Sequence, residues 1–157
     1  MEHNFERLKE AILPLSSSPD FETARQEWRL IGVAMHDQFT RCPCGQPIKE
    51  RCMVKNDLTG KIVVVGNVCV GRFMGIETGA LFAGLKRIQE NNEANANIDV
   101  INHAFQLGYI YEKEHAFLLQ TMRKRKLSDK QINWKRKINH RILNHTVVSP
   151  TLTPPAT

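Results

Sequence analysis

The segment Arg41–Val70, RCPCGQPIKERCMVKNDLTGKIVVVGNVCV, contains all four cysteines of a 157-residue chain: Cys42, Cys44, Cys52 and Cys69. Zinc takes four ligands in a tetrahedron and readily accepts thiolates. Cys42 and Cys44 frame the tight turn CPCG, in which Pro43 fixes φ and Gly45 lets the chain double back. Residues 49–56 (KERCMVKN) alternate as a strand does, Asp57-Leu58-Thr59-Gly60 is turn chemistry, and KIVVVGN reads as a second strand. Such a hairpin returns Cys52 and Cys69 toward the CPCG turn, so the four thiolates can converge. Trp28–Met35 is rich in branched residues and reads as a third strand of the same sheet.

Four protein ligands leave no open position for water, so the expected ion is a structural Zn2+. Structural zinc can contribute ~10 kcal/mol or more of folding free energy, which matters in a small sheet. Other readings of the thiols compete with this one. Free cysteine is among the most buried residue types, so all four can be core. A redox sensor would want an exposed thiol of low pKa. A zinc variant keeps the ion but replaces Cys52 with His36, six residues before Cys42. His103, His115, His140 and His145 are scattered on helical segments and read as packed or solvated.

Hydrophobic residues make up 41% and charged residues 24%, as in ordinary soluble globular domains. No apolar run approaches the ~20 residues that span a bilayer. MEHNFERLKE is charged and lacks the apolar centre of a signal peptide. The expectation is a cytoplasmic protein, where thiols stay reduced and clustered cysteines point to metal before disulfide.

Around the cysteine segment the periodicity is helical. Phe5, Leu8 and Ile12 share one face of a first helix, which Pro14 ends. Ser18 with Pro19 has the form of a helix start. After VGRFMG, the stretch LFAGLKRIQE aligns Leu81, Leu85 and Ile88, and NNEANAN reads as a polar link. Ile98, Ile101 and Phe105 share a face, and Gly108 stops that helix. Ser128-Asp129-Lys130-Gln131 is a capping box opening a helix through Leu143, with Trp134, Ile138 and Ile142 on its apolar side. The tail from His145 has no periodicity and reads as disordered. The expected fold is α+β: a small zinc-stapled antiparallel sheet of two to three strands, with flanking helices and a C-terminal helical segment. Its expected divisions are 1–18 (helix and linker), 19–76 (zinc-ribbon-like module), 77–143 (helical region) and 144–157 (tail).

The pattern C-x-C-G…P-I…C…N…T-G…V-G-N-V-C-V-x-R-F comprises Cys42, Cys44, Gly45, Pro47, Ile48, Cys52, Asn56, Thr59, Gly60, Val65, Gly66, Asn67, Val68, Cys69, Val70, Arg72 and Phe73. It resembles a module of small, mostly uncharacterised proteins of phages and other mobile elements. Glu27-Trp28 and RKLSDKQINWKRKIN resemble segments found with it, so the likeness covers roughly residues 24–143. It implies a zinc-ribbon-like fold and an association with DNA metabolism or host takeover. From the residues themselves, Asn56 and Thr59-Gly60 shape the turn, and Gly66 and Asn67 let amides approach metal-bound sulfur. Arg72 beside the site either offsets the formal −2 of a four-thiolate zinc centre, the favoured reading, or touches phosphate.

The charge is uneven. Arg123, Lys124, Arg125, Lys126, Lys130, Lys135, Arg136, Lys137 and Arg141 face only Asp129, so residues 123–141 carry +8. The chain is +6 in total, which leaves −2 for the rest. Nine cations around a helical junction suggest phosphate neutralisation and hence nucleic acid, without a signature for reading bases. A solvated helix end and an acidic protein partner are the alternatives. There is no Walker loop, G-x-S-x-G or H-E-x-x-H, and the acidic residues are not clustered for two-metal chemistry. The sequence thus favours a non-enzymatic zinc module that binds nucleic acid, DNA before RNA, through those nine residues. The alternative is an interaction factor that docks on a host or replication protein. A small-molecule substrate and a membrane partner are not expected.

Overall fold

The computed structural model describes residues 2–149. Its elements are α1 (Glu2–Ile12), α2 (Phe21–Ala24), β1 (Trp28–Arg41), β2 (Pro47–Asn56), β3 (Ile62–Gly66), α3 (Asn67–Met74), α4 (Gly79–Glu90), α5 (Ile98–Gln106), α6 (Glu112–Thr121) and α7 (Asp129–Leu143). The fold is α+β, with one three-stranded antiparallel sheet of order β1-β2-β3 among the described residues. The chain divides into two compact units, one through Thr78 and one from Gly79 onward.

In the first unit the sheet register sets everything else. Val33 lies opposite Cys52, and Cys52 opposite Val65, so three successive strands bring one row of residues together. Cys52, Val54 and Asn56 alternate inward along β2, which is the period-2 pattern of a half-buried strand. β1 runs on to Arg41, well past the Met35 expected from its branched residues, because the register slips between Met35 and Thr40 and then resumes. An irregularity of this kind absorbs exposed residues without ending the pairing. The aromatic rings of Phe21 and Trp28 pack on Phe73 of α3, at centroid distances of 5.9 and 5.8 Å. Leu8 and Ile12 of α1 are fully buried, as their spacing predicts.

A polar tie closes this unit. Asn56 is fully buried; its Oδ1 accepts from the amides of Leu58 and Thr59, and its Nδ2 donates to Glu27 Oε1 at 2.9 Å. The same carboxylate accepts from the amides of Ser17 and Ser18. Partial burial pushes the Glu27 carboxyl up, but the Asn56, Ser17 and Ser18 donors prevail and hold it below its ordinary value. With the Ser18 amide engaged there, the helix cap falls on Asp20 rather than Ser18; Asp20 Oδ2 accepts from the Thr23 amide.

The second unit is helical and has polar groups in its core. Leu81, Leu85 and Ile88 are buried on α4 as expected. On α5 the buried face is Val100, Ile101 and Ala104, while Ile98 and Phe105 are exposed. Of the expected Ile98, Ile101 and Phe105 face only Ile101 is inside; Ile98 and Phe105 are turned toward solvent, and Phe105 stacks on His115 at 4.3 Å. The asparagine tract is no loose link: Asn139 Nδ2 donates to the carbonyls of Asn92 and Ala94, Asn97 caps α5, and Ala94 and Ala96 are buried. Gly108 takes φ +78, the left-handed stop its position predicts. Its carbonyl accepts from the amides of Val148 and Ser149, so residues 144–149 double back to it. The remainder of the tail, 150–157, lies outside the described residues. No helix among the described residues is long and apolar enough to cross a membrane.

Candidate metal centre and cationic segment

The turn between β1 and β2 is a closed sulfur knuckle. The Gly45 amide donates to the Cys42 carbonyl at 2.8 Å, the Cys42 amide donates to the Gln46 carbonyl at 2.9 Å, and Gly45 has φ +99. Both knuckle thiols therefore point to one side. Cys69 arrives in the first turn of α3, which Gly66 begins directly from the end of β3. The Sγ atoms of Cys42, Cys44 and Cys69 all lie within 4.8 Å of one another, and all three residues are buried. Three converging thiols can hold a metal ion.

The surroundings fit negative sulfur. The Gly66 amide donates to Cys42 Sγ at 3.4 Å, the amide-to-sulfur contact that Gly66 was expected to permit. Arg41 Nη1 donates to the Gly45 carbonyl at 3.0 Å, and the Arg7 guanidinium rests against Gly45, where an added Cβ would come within 2.5 Å of Nη1. Two cations thus bracket the knuckle. Arg72, the cation expected there, is exposed, and its backbone carbonyl accepts from Arg25 at 2.6 Å.

The thiols share protons unevenly. A hydrogen bond with Cys69, opposed by burial and aided by the amides of Cys44 and Gly66, draws Cys42 down to about 6. Cys69 moves up for the complementary reason, held by Cys42 and by burial. Of the Cys42–Cys69 pair, Cys42 is therefore the first to become a thiolate. All four cysteines are buried, whereas a sensor thiol needs access.

Cys52 is outside the group of three. It is fully buried on β2, and burial, with the charges of Glu50 and Cys42, pushes it up to about 12 despite the neighbouring Thr78 hydroxyl. His36, the substitute ligand, is exposed in the slipped part of β1 and is not part of the cluster.

The cationic segment is divided by the fold. Arg123, Lys124, Arg125 and Lys126 lie between α6 and α7 and are exposed, as are Lys130, Arg136 and Lys137 on α7. Lys135 is 1% exposed; its ammonium donates to Asn95 Oδ1 and to Thr121 Oγ1, and burial lowers its pKa. A side chain so placed supports the interior and does not meet a phosphate at the surface. Arg136 pairs with Glu93 at 3.1 Å. Arg141 pairs with Glu114 and donates to the Tyr109 carbonyl.

Glu114 is a functional-looking carboxylate that the sequence analysis did not single out. It is 3% exposed and accepts from Arg141, from the Tyr111 amide and from Trp134 Nε1. Burial alone would raise its carboxyl; those donors prevail and hold it below its ordinary 4.5. The available signal was its third position in a helix that a capping pattern could open. Trp134 stacks on Phe117 at 4.2 Å and is a packing residue, not an open platform. His103 is driven down to about 4 by burial and by His145, so it is neutral.

No protein-family model, curated protein or solved structure matches this chain.

Proposed function

We propose that this chain is a non-enzymatic zinc module that binds nucleic acid, DNA in the first instance, without strong sequence specificity. The observation that carries the reading is the convergence of three buried thiols from two separate segments, beside a backbone amide and two guanidinium groups. Zinc suits an all-sulfur donor set, and cysteine thiolates with no open position serve structure rather than catalysis. Cys52 supplies the fourth sulfur in this reading: it sits one register position from Gly66, and it is near enough to Cys42 to feel that residue's charge. The exposed cations Arg123, Lys124, Arg125, Lys126, Lys130 and Lys137 supply the phosphate contacts. The resemblance to phage and mobile-element modules favours a role in their DNA metabolism, in the host cytoplasm.

Native mass spectrometry with and without chelator tests the metal. One zinc per chain is expected, with four thiols protected from alkylation; three protected thiols would remove Cys52 from the site. Titration against single- and double-stranded DNA tests the second half. Binding should weaken steeply with salt, and negligible affinity for DNA and RNA at ~50 mM salt would end the nucleic-acid reading.

The second reading is a factor that docks on a host or replication protein. Leu58 and Ile62, 63% and 57% exposed on the β2–β3 hairpin, favour it. It predicts a partner retained after nuclease treatment and at higher salt.

A further inference from the structure

In the second unit, the end of α4, the turn after it and the loop between α6 and α7 line an open cleft of about 590 Å³. That volume is in the range of specific ligand sites. Four cations line it: Arg87 from α4, and Arg123, Lys124 and Arg125 from the loop. Arg87 lies 36 residues from the nearest of the others, outside the basic run, and only the fold adds it to them. Its floor includes the aliphatic side chains of Met122, Leu127 and Ile132. Glu90 and Glu93 also line it, and Glu93 is already paired with Arg136.

The walls are fixed from inside. Asn95 Nδ2 donates to the Lys124 carbonyl at 3.0 Å, while its Oδ1 accepts from the buried Lys135 ammonium. Asn139 holds the neighbouring carbonyls of Asn92 and Ala94. The Asn91–Asn97 tract and the basic loop are therefore held to each other by buried side chains of α7 and by Asn95. A pre-formed cleft avoids much of the ordering cost that a flexible basic tail incurs on binding.

We propose that this cleft is a binding site for a single nucleic-acid strand. Phosphates lie on Arg87, Arg123, Lys124 and Arg125, and an unstacked base lies on the aliphatic floor. A duplex keeps its bases inside and can use only the charged rim; a single strand can use rim and floor together. The proposal rests on the nucleic-acid reading above and narrows it to one strand form and one set of residues. Lys135 and Asn95 are positioning residues in it.

The test is fluorescence anisotropy of the full-length, metal-loaded protein. The probes are a labelled oligothymidine and a labelled duplex of equal length, each measured across a salt series. Three proteins are compared: the natural sequence, Arg87→Ala with Arg125→Ala, and Lys130→Ala with Lys137→Ala, which removes the same charge from α7. Circular dichroism melts confirm that each is folded. The natural protein should prefer the single strand. The cleft pair should weaken that binding about tenfold and lower the salt slope by about 0.7 per cation removed, with the α7 pair showing a clearly smaller loss. Equal losses from both pairs, or equal affinity for strand and duplex, would overturn the cleft while leaving general nucleic-acid binding intact. No binding of either probe at low salt would remove both readings.

Discussion

The two units solve the problem of a small core in different ways. The first joins three strands, gathers three thiols at one end and has the Glu27–Asn56 tie beside the β2–β3 turn. The second has no cysteine and spreads the task over buried polar groups: Glu114 with Arg141 and Trp134, Lys135 with Asn95, and Asn139 with two carbonyls. A metal staple, as proposed for the first unit, fails all at once when its ion leaves. A polar network fails by parts, and each loss is costly because a partner stays buried and unpaired.

The chain contains one tryptophan in each unit, Trp28 and Trp134, so fluorescence can follow them separately in single Trp→Phe backgrounds. The largest effect is expected from Cys69→Ser or from chelation. Either should remove up to ~10 kcal/mol from the first unit and abolish its folded Trp28 signal, while Trp134 emission persists. Simultaneous loss of both signals at one midpoint would break the contrast between the units.

Glu114→Ala should come next, at about 3 kcal/mol, because it leaves the half-buried Arg141 charge without its carboxylate. Urea melts followed through Trp134 would measure it. The same group gives a pH signature. Its folded carboxyl lies below the ordinary 4.5, so the unfolded chain takes up a proton first as pH falls. Its contribution is complete above about 4.5 and declines as pH drops through the folded value. Melts from pH 7 to 3 should show that decline in the natural protein and a flatter curve in Glu114→Ala; parallel curves would remove Glu114 from the network.

The smallest effect is expected at Ser128, whose hydroxyl caps α7 by accepting from the Gln131 amide while its own amide donates to Gln131 Oε1. Ser128→Ala should cost about 1 kcal/mol in the same melts, through the second unit alone. A change in the Trp28 transition would argue against separate accounting of the two units.

Several features were legible beforehand because their causes are local. The Asn56–Gly60 turn, the Ser128 capping box, the Gly108 stop and the Leu81-Leu85-Ile88 face follow from side chains a few residues apart. The concentration of thiols was legible too, since it is a fact of spacing. Helix faces were less so: α5 has enough apolar residues for two stripes, and periodicity does not say which stripe meets a neighbour.

The chain order by itself determined an α+β fold, a sulfur-bearing hairpin and a cationic stretch near the C-terminus. Only the tertiary structure decided which thiols converge, with Cys42, Cys44 and Cys69 together and Cys52 turned into the sheet beside them. Only it moved Lys135 and Arg141 out of the surface charge and brought Arg87 in. The reason is range. Caps, turns and strand alternation are set by neighbours along the chain, whereas burial, ion pairing and ligand convergence depend on residues 20–40 positions apart meeting through the packing of other elements.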